Sequence, residues 1–140
     1  MTTTDMLTVQ TTLQCGLARA WNAYTAPKAI VQWNFAAPEW HCPRAENDLR
    51  VGGTLKSRME ARDGSMGFDF EGTYTEVVPM ERLVYAMGDE RQVVATFKEA
   101  GGLTELTVRF TPDSTFPAEY QVGGWQAILN NYKAYAESAA

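Results

Sequence analysis

The residues of this chain best suited to chemistry stand close together. The stretch WHCPRAENDLRVGG, residues 40–53, carries the only histidine, His41, next to Cys42, one of two cysteines. A zinc site needs three or four ligands spaced so that they converge. Neighbouring side chains of an extended segment point to opposite sides, so His41 and Cys42 converge poorly on one metal, and the sequence holds no second histidine. The same adjacency defeats a Cys–His nucleophilic pair. We therefore assign no catalytic residue, metal ligand or cofactor to the stretch. It reads as a structural edge or as the rim of a site. Asn47 or Asp48 can bond backbone amides in a turn, and Gly52 and Gly53 permit a bend or bulge at a strand start. Trp40 is placed to plug the mouth of an interior space, with His41 beside it as a ligand contact.

The other ionisable groups follow the strand period. In TLKSRMEAR, Leu55, Ser57, Met59 and Ala61 share one face, and Lys56, Arg58, Glu60 and Arg62 the other. In GFDFEGTYTEVV, Phe68, Phe70, Gly72 and Tyr74 alternate with Asp69, Glu71, Thr73 and Thr75. The carboxylates Glu60, Asp69 and Glu71 thus belong on a solvated outer face. A buried acid able to transfer protons needs its pKa raised by desolvation; only an inverted face assignment puts Arg58 and Glu60 inside. Pairing Arg62 with Gly67 across the DGSM turn sets Met59 opposite Phe70 and Arg58 opposite Glu71, at the cost of Glu60 facing Asp69.

The elements that position these groups form a simple order. MLTVQTTLQ alternates as a strand, with a shift near Leu13. Leu17, Ala20, Trp21 and Tyr24 lie on one helical face, and Pro27 ends that helix and suits the first turn of a second, which closes near Trp33. From Gly53 onward, short strands joined by turns at VPME, GDE and AGG give an antiparallel meander. Trp125, Ile128, Leu129, Tyr132 and Ala136 form an apolar stripe on a final helix from about 118 to 138. Pro117 and Glu119 suit its start. Gly123 and Gly124 mark a kink or a close approach to the sheet. The fold class is α+β: a curved antiparallel sheet of six to seven strands, two short helices after the first strand, and a long C-terminal helix covering the sheet.

Composition narrows the partners. A chain of 140 residues is read as one domain, residues 1–140, with 45% hydrophobic residues and a net charge of −5. No Lys/Arg cluster stands out, which argues against nucleic acid and anionic membranes. No apolar run reaches the ~20 residues of a membrane span, and the N-terminus shows no secretory pattern. A cytoplasmic location with free thiols at Cys15 and Cys42 follows by default.

Four stretches, AWNAYTAPKAIVQW, NDLRVGG, GFDFEGTYTEVVPMERLVY and GGWQAILNNYKAYAES, taken in order and spacing, resemble the SRPBCC (START/polyketide-cyclase-like) superfamily. Within it they look like bacterial proteins similar to the activator of the 90-kDa heat-shock-protein ATPase. The resemblance runs from about Leu7 to Ser138. It implies a helix-grip fold, in which the sheet wraps the terminal helix around an internal cavity. It also implies binding of lipids, sterols or polyketide-like molecules, with cyclases and dehydratases among the relatives.

The strand faces and the helix stripe nominate Met59, Phe68, Phe70, Tyr74, Phe97, Trp125, Leu129 and Tyr132 as cavity residues, with Trp40 and His41 at the rim. Tyr74 and Tyr132 are the preferred orienting groups, because buried hydroxyls need partners. The leading expectation is a binder of a small hydrophobic or amphipathic molecule. A cyclase, dehydratase or hydrolase using cavity polar groups and a co-chaperone-like interaction module are the alternatives. The chain is expected to be a monomer or a homodimer through an exposed sheet edge.

Overall fold

The computed structural model describes residues 6–87 and 91–138. The chain runs β1 (Leu7–Leu13), α1 (Leu17–Thr25), α2 (Pro27–Trp33), β2 (Trp40–Asn47), β3 (Thr54–Ala61), β4 (Gly67–Val78), β5 (Arg82–Met87), β6 (Arg91–Ala100), β7 (Leu103–Phe110) and α3 (Ala118–Ser138). The strands form one antiparallel sheet in the order β1-β7-β6-β5-β4-β3-β2. It curls into a half-barrel, with α3 lying in its hollow and α1 and α2 closing one end. This is the helix-grip arrangement. The expected turn at residues 88–90 lies outside the described residues.

Strand alternation is cleanest where one face is dry. Val9, Thr11 and Leu13 of β1 are all buried, so the alternation runs straight through Leu13 and the expected shift there does not occur. Leu83, Val93, Leu106, Val108 and Phe110 are almost fully buried beneath α3 and the two short helices; burying each such side chain contributes roughly 1.5–3 kcal/mol. Ala26 stays extended between α1 and α2, and Pro27 opens α2. The Trp33 indole then donates to the Ala23 carbonyl at 2.9 Å, binding the two helices together.

Two sheet details differ from the sequence reading. The seventh strand, β2, is the polar stretch 40–47. It is an edge strand paired only with β3, and its register breaks between His41 and Arg44, around Pro43. Proline is tolerated there because an edge position needs no ladder donor. The β3–β4 register is also displaced. Met59 faces Phe68, Ser57 faces Phe70, Arg58 faces Asp69 and Glu60 faces Gly67. Arg62 is drawn the other way: its backbone amide donates to Glu39 O (2.7 Å) and its side chain to Pro38 O (2.8 Å). The observed register removes the Glu60–Asp69 conflict. Arg58 now lies between the two carboxylates, 2.9 Å from Glu60 and 3.5 Å from Asp69.

Helix α3 is tied along the free edge of β1. Gln126 exchanges hydrogen bonds with the Gln10 backbone, Lys133 donates to Thr12 O (2.6 Å), and Glu137 accepts from the Gln14 amide (2.8 Å). On its other side, Asn131 donates to Phe35 O (2.8 Å) and the Tyr132 hydroxyl to Ala20 O (2.6 Å). The side chains of α3 thereby satisfy backbone groups that a further strand would otherwise pair.

The helix runs unbroken through Gly123 and Gly124, and a Cβ added at either meets nothing within 4 Å. The expected close approach to the sheet is therefore absent, and neither glycine is required by packing. Gly124→Ala is expected to stabilise the fold by roughly 0.5–1 kcal/mol through helix propensity, read as a rise in thermal midpoint. A fall would show that the helix needs its freedom there.

Candidate ligand cavity

Between α3, the two short helices and the inner sheet face lies a cavity of about 230 Å³. Its walls follow directly from the alternation. β3 supplies Leu55, Ser57 and Met59, β4 supplies Phe68, Phe70 and Tyr74, and β5 supplies Leu83 and Tyr85. Tyr24 comes from α1, Ile30, Trp33 and Asn34 from α2 and its end, and Trp125, Ile128 and Leu129 from α3; Val9 and Val108 complete the lining. Rings brace this space. Trp125 stacks flat on Phe110 with centroids 4.1 Å apart and meets Phe70 edge-on. Tyr24 stacks on Trp33 and presents its edge to Phe97 and Tyr132.

Of the residues nominated from sequence, Met59, Phe68, Phe70, Tyr74, Trp125 and Leu129 line the cavity, with Phe68 half exposed at its margin. Trp40 packs against Phe68, 5.9 Å between centroids, outside the lining. Phe97 and Tyr132 are buried in the core beyond the cavity wall. His41 lies on the outer sheet face opposite Glu60, with Nε2 3.8 Å from its carboxylate. Cys42 is buried on the inner side, and burial pushes its thiol pKa up. The outer face also carries Lys56, Arg58 and Asp69, linked as ion pairs. Among the described residues, no three His, Cys, Asp or Glu side chains gather as a metal site.

The hydroxyl groups in and around the cavity fall into two sets. One set is committed to the fold. The Tyr74 hydroxyl donates to Asn47 Oδ1 (2.6 Å), and Asn47 Nδ2 donates to the Thr25 carbonyl (2.7 Å). Asn47 therefore joins β2, β4 and α1, and bonds no turn amide; Asp48 pairs with the Arg50 side chain instead. Tyr132, bonded to Ala20, is committed in the same way. The two tyrosines preferred as orienting groups are thus already engaged. The second set is uncommitted. Ser57 Oγ is buried beside the Cys42 thiol with no other partner among the described residues, and the Tyr24 and Tyr85 hydroxyls, on the cavity wall, form no hydrogen bond to the described residues. Sequence reasoning placed Ser57 on the apolar strand face without asking what its hydroxyl meets; a lone hydroxyl among Leu55, Met59 and Ala61 was the available signal. Tyr24 enters the sequence reading only as part of a helical face, and Tyr85 is not among the residues nominated there.

Comparison with known proteins places this architecture. Residues 14–137 match the family described as Activator of Hsp90 ATPase homolog 1-like protein. The chain belongs to that family. Among solved structures, the AHSA1-like protein of Aeromonas hydrophila is 36% identical, with a TM-score of 0.86 over 95% of this chain and 94% of that one. A protein of Cytophaga hutchinsonii is 42% identical, with a TM-score of 0.82 over 94% and 92%. A Nitrosomonas europaea protein, 18% identical, shares the fold with a TM-score of 0.85 over 100% and 99%. No curated protein matches. No helix among the described residues is long and apolar enough to cross a membrane. In this AHSA1-like chain the lining, among the described residues, holds no carboxylate, imidazole, amine, guanidinium or thiol.

Two outcomes follow from the buried polar groups. Asn47→Ala strands the Tyr74 hydroxyl and the Thr25 carbonyl together and is expected to cost about 1–3 kcal/mol in denaturant unfolding; a neutral result would show that the link is dispensable. Burial also raises the pKa of Tyr24, Tyr85 and Tyr132 and pushes Tyr74 up to about 12. Above about pH 10 the unfolded chain sheds phenolic protons that the folded chain keeps. Stability should therefore hold below that pH and fall as pH rises through the folded values, checked by phenolate absorbance alongside thermal unfolding. Ionisation of all four at the free value in folded protein would contradict their burial.

Proposed function

We propose that this AHSA1-like protein binds, without covalent chemistry, a small hydrophobic or amphipathic molecule in the cavity beneath α3. The partly open, mostly apolar space between helix and sheet carries this reading. Ligand sites are concave, mostly apolar and furnished with a few polar groups, and the lining of six aromatic side chains, Tyr24, Trp33, Phe68, Phe70, Tyr74 and Tyr85, with Trp125 above them fits that description. Size sets the ligand class. An engineered cavity of about 150 Å³ accepts one benzene ring, so about 230 Å³ suits roughly nine or ten non-hydrogen atoms by the same measure. That is a ring with a short chain, or a medium-length chain, and is smaller than a sterol.

The chemistry of the walls favours binding over acid–base catalysis. The titratable groups on the lining are Tyr24, Tyr74 and Tyr85, and each is shifted away from neutrality. A general acid or base works best with a pKa near the operating pH.

Titration of the purified chain with medium-chain alcohols, fatty acids and alkylbenzenes, followed by the fluorescence of Trp33 and Trp125, is expected to give a saturable response. Ile128→Phe, which adds bulk from the helix side, is expected to abolish it with the fold retained by circular dichroism. A flat response across the whole panel would remove the proposal.

A further inference from the structure

The uncommitted hydroxyls in the cavity share a region of its wall. Tyr85 projects from β5 across β4, and its ring lies against Gly72. A Cβ at Gly72 would stand 2.5 Å from Tyr85 Cδ2, so only glycine leaves that path open. Gly72 pairs with Leu55, so the Tyr85 ring is directed toward the β3 wall, where Ser57 follows two residues later on the same face. The Tyr74 and Tyr85 rings are 5.9 Å apart, and the Tyr74 hydroxyl is held by Asn47. Tyr24 reaches the same cavity from α1, and its phenol is near enough to those of Tyr74 and Tyr85 for their charges to interact.

A few polar groups on the wall of a mostly apolar cavity fix the orientation of what binds there, and a phenol with no protein partner is a donor available to an occupant. Tyr24 and Tyr85 each bring a proton to donate, and their raised pKa values keep it in place at neutral pH. A carbonyl oxygen has two lone pairs and can take both protons. A carboxylate or ammonium has no counter-charge on the lining, and burying an unpaired charge is far more costly than burying a neutral dipole.

We propose that Tyr24 and Tyr85, with Ser57 nearby on the β3 wall, form the recognition end of the cavity, and that its ligand is a compact uncharged molecule with one hydrogen-bond-accepting oxygen, a ketone, ester or lactone carbonyl. This rests on the cavity-binding reading above and adds the chemistry of the ligand's polar end. Gly72 is, on this view, a positioning residue that lays Tyr85 in place.

The test is calorimetric titration of the full chain at neutral pH with three probes of similar size: butyrophenone, butylbenzene and phenylbutyrate. Butyrophenone is expected to bind roughly five- to tenfold more tightly than butylbenzene, the scale of one net hydrogen bond, with phenylbutyrate the weakest. Tyr85→Phe and Tyr24→Phe should each narrow the gap in affinity between butyrophenone and butylbenzene. Equal binding of butyrophenone and butylbenzene overturns the donor cluster while leaving cavity binding intact. Tightest binding of phenylbutyrate overturns the uncharged class. No binding of any probe overturns both this inference and the function it rests on. The comparison of probes on the unaltered chain decides the matter even where a tyrosine variant fails to fold.

Discussion

The structure depends on how α3 is suspended over the sheet. Its apolar stripe faces the hollow, as hydrophobic burial demands, but its height is set by polar bonds at its flanks. Gln126, Lys133 and Glu137 bond the backbone along the β1 edge, and Asn131 and Tyr132 bond Phe35 and Ala20 on the opposite side. A helix fixed on both margins cannot sink until every gap beneath it is filled. Where large rings meet, as Trp125 does on Phe110, they act as spacers, and the interior volume remains beside them.

The same constraint divides the interior into a sealed half and a hollow half. Toward the C-terminal end of α3, Tyr132 and Ala136 are fully buried with Leu13 and Ala20. Toward its N-terminal end, Trp125 and Ile128 are only partly buried, and both border the cavity. Dense packing supplies stability, while the looser end holds the cavity. Asn47 stands at the junction, and its bonds to Tyr74 and Thr25 keep the wall from collapsing where it would otherwise gain contacts.

Much of this was legible in the sequence, because period-two and period-3.6 patterns report which faces are dry. The stripe from Trp125 to Ala136, the span of α3, and the inward set Met59, Phe70 and Tyr74 are written in that periodicity. The polar strand β2 was not, because an edge strand with Pro43 and alternating charges lacks the apolar rhythm that marks a strand. Register was misplaced by two residues between β3 and β4, since shifts of two preserve the faces and leave the pattern unchanged. What decided it was Arg62 bonding back to Pro38 and Glu39, a tertiary contact that no local pattern contains. The roles of the tyrosines were likewise hidden. A tyrosine spent on Asn47 and one left without a partner look identical in sequence.

The broken register around Pro43 bears on how copies of this chain meet one another. A regular outer rail of amides and carbonyls invites a neighbouring molecule to zip on edge to edge. On β2 that rail lacks an amide at Pro43 and loses its rhythm between His41 and Arg44, and charged Arg44 and Glu46 flank the gap. With the opposite rail already occupied by the flank of α3, neither margin of this half-barrel offers an uninterrupted row of free backbone groups to a neighbour.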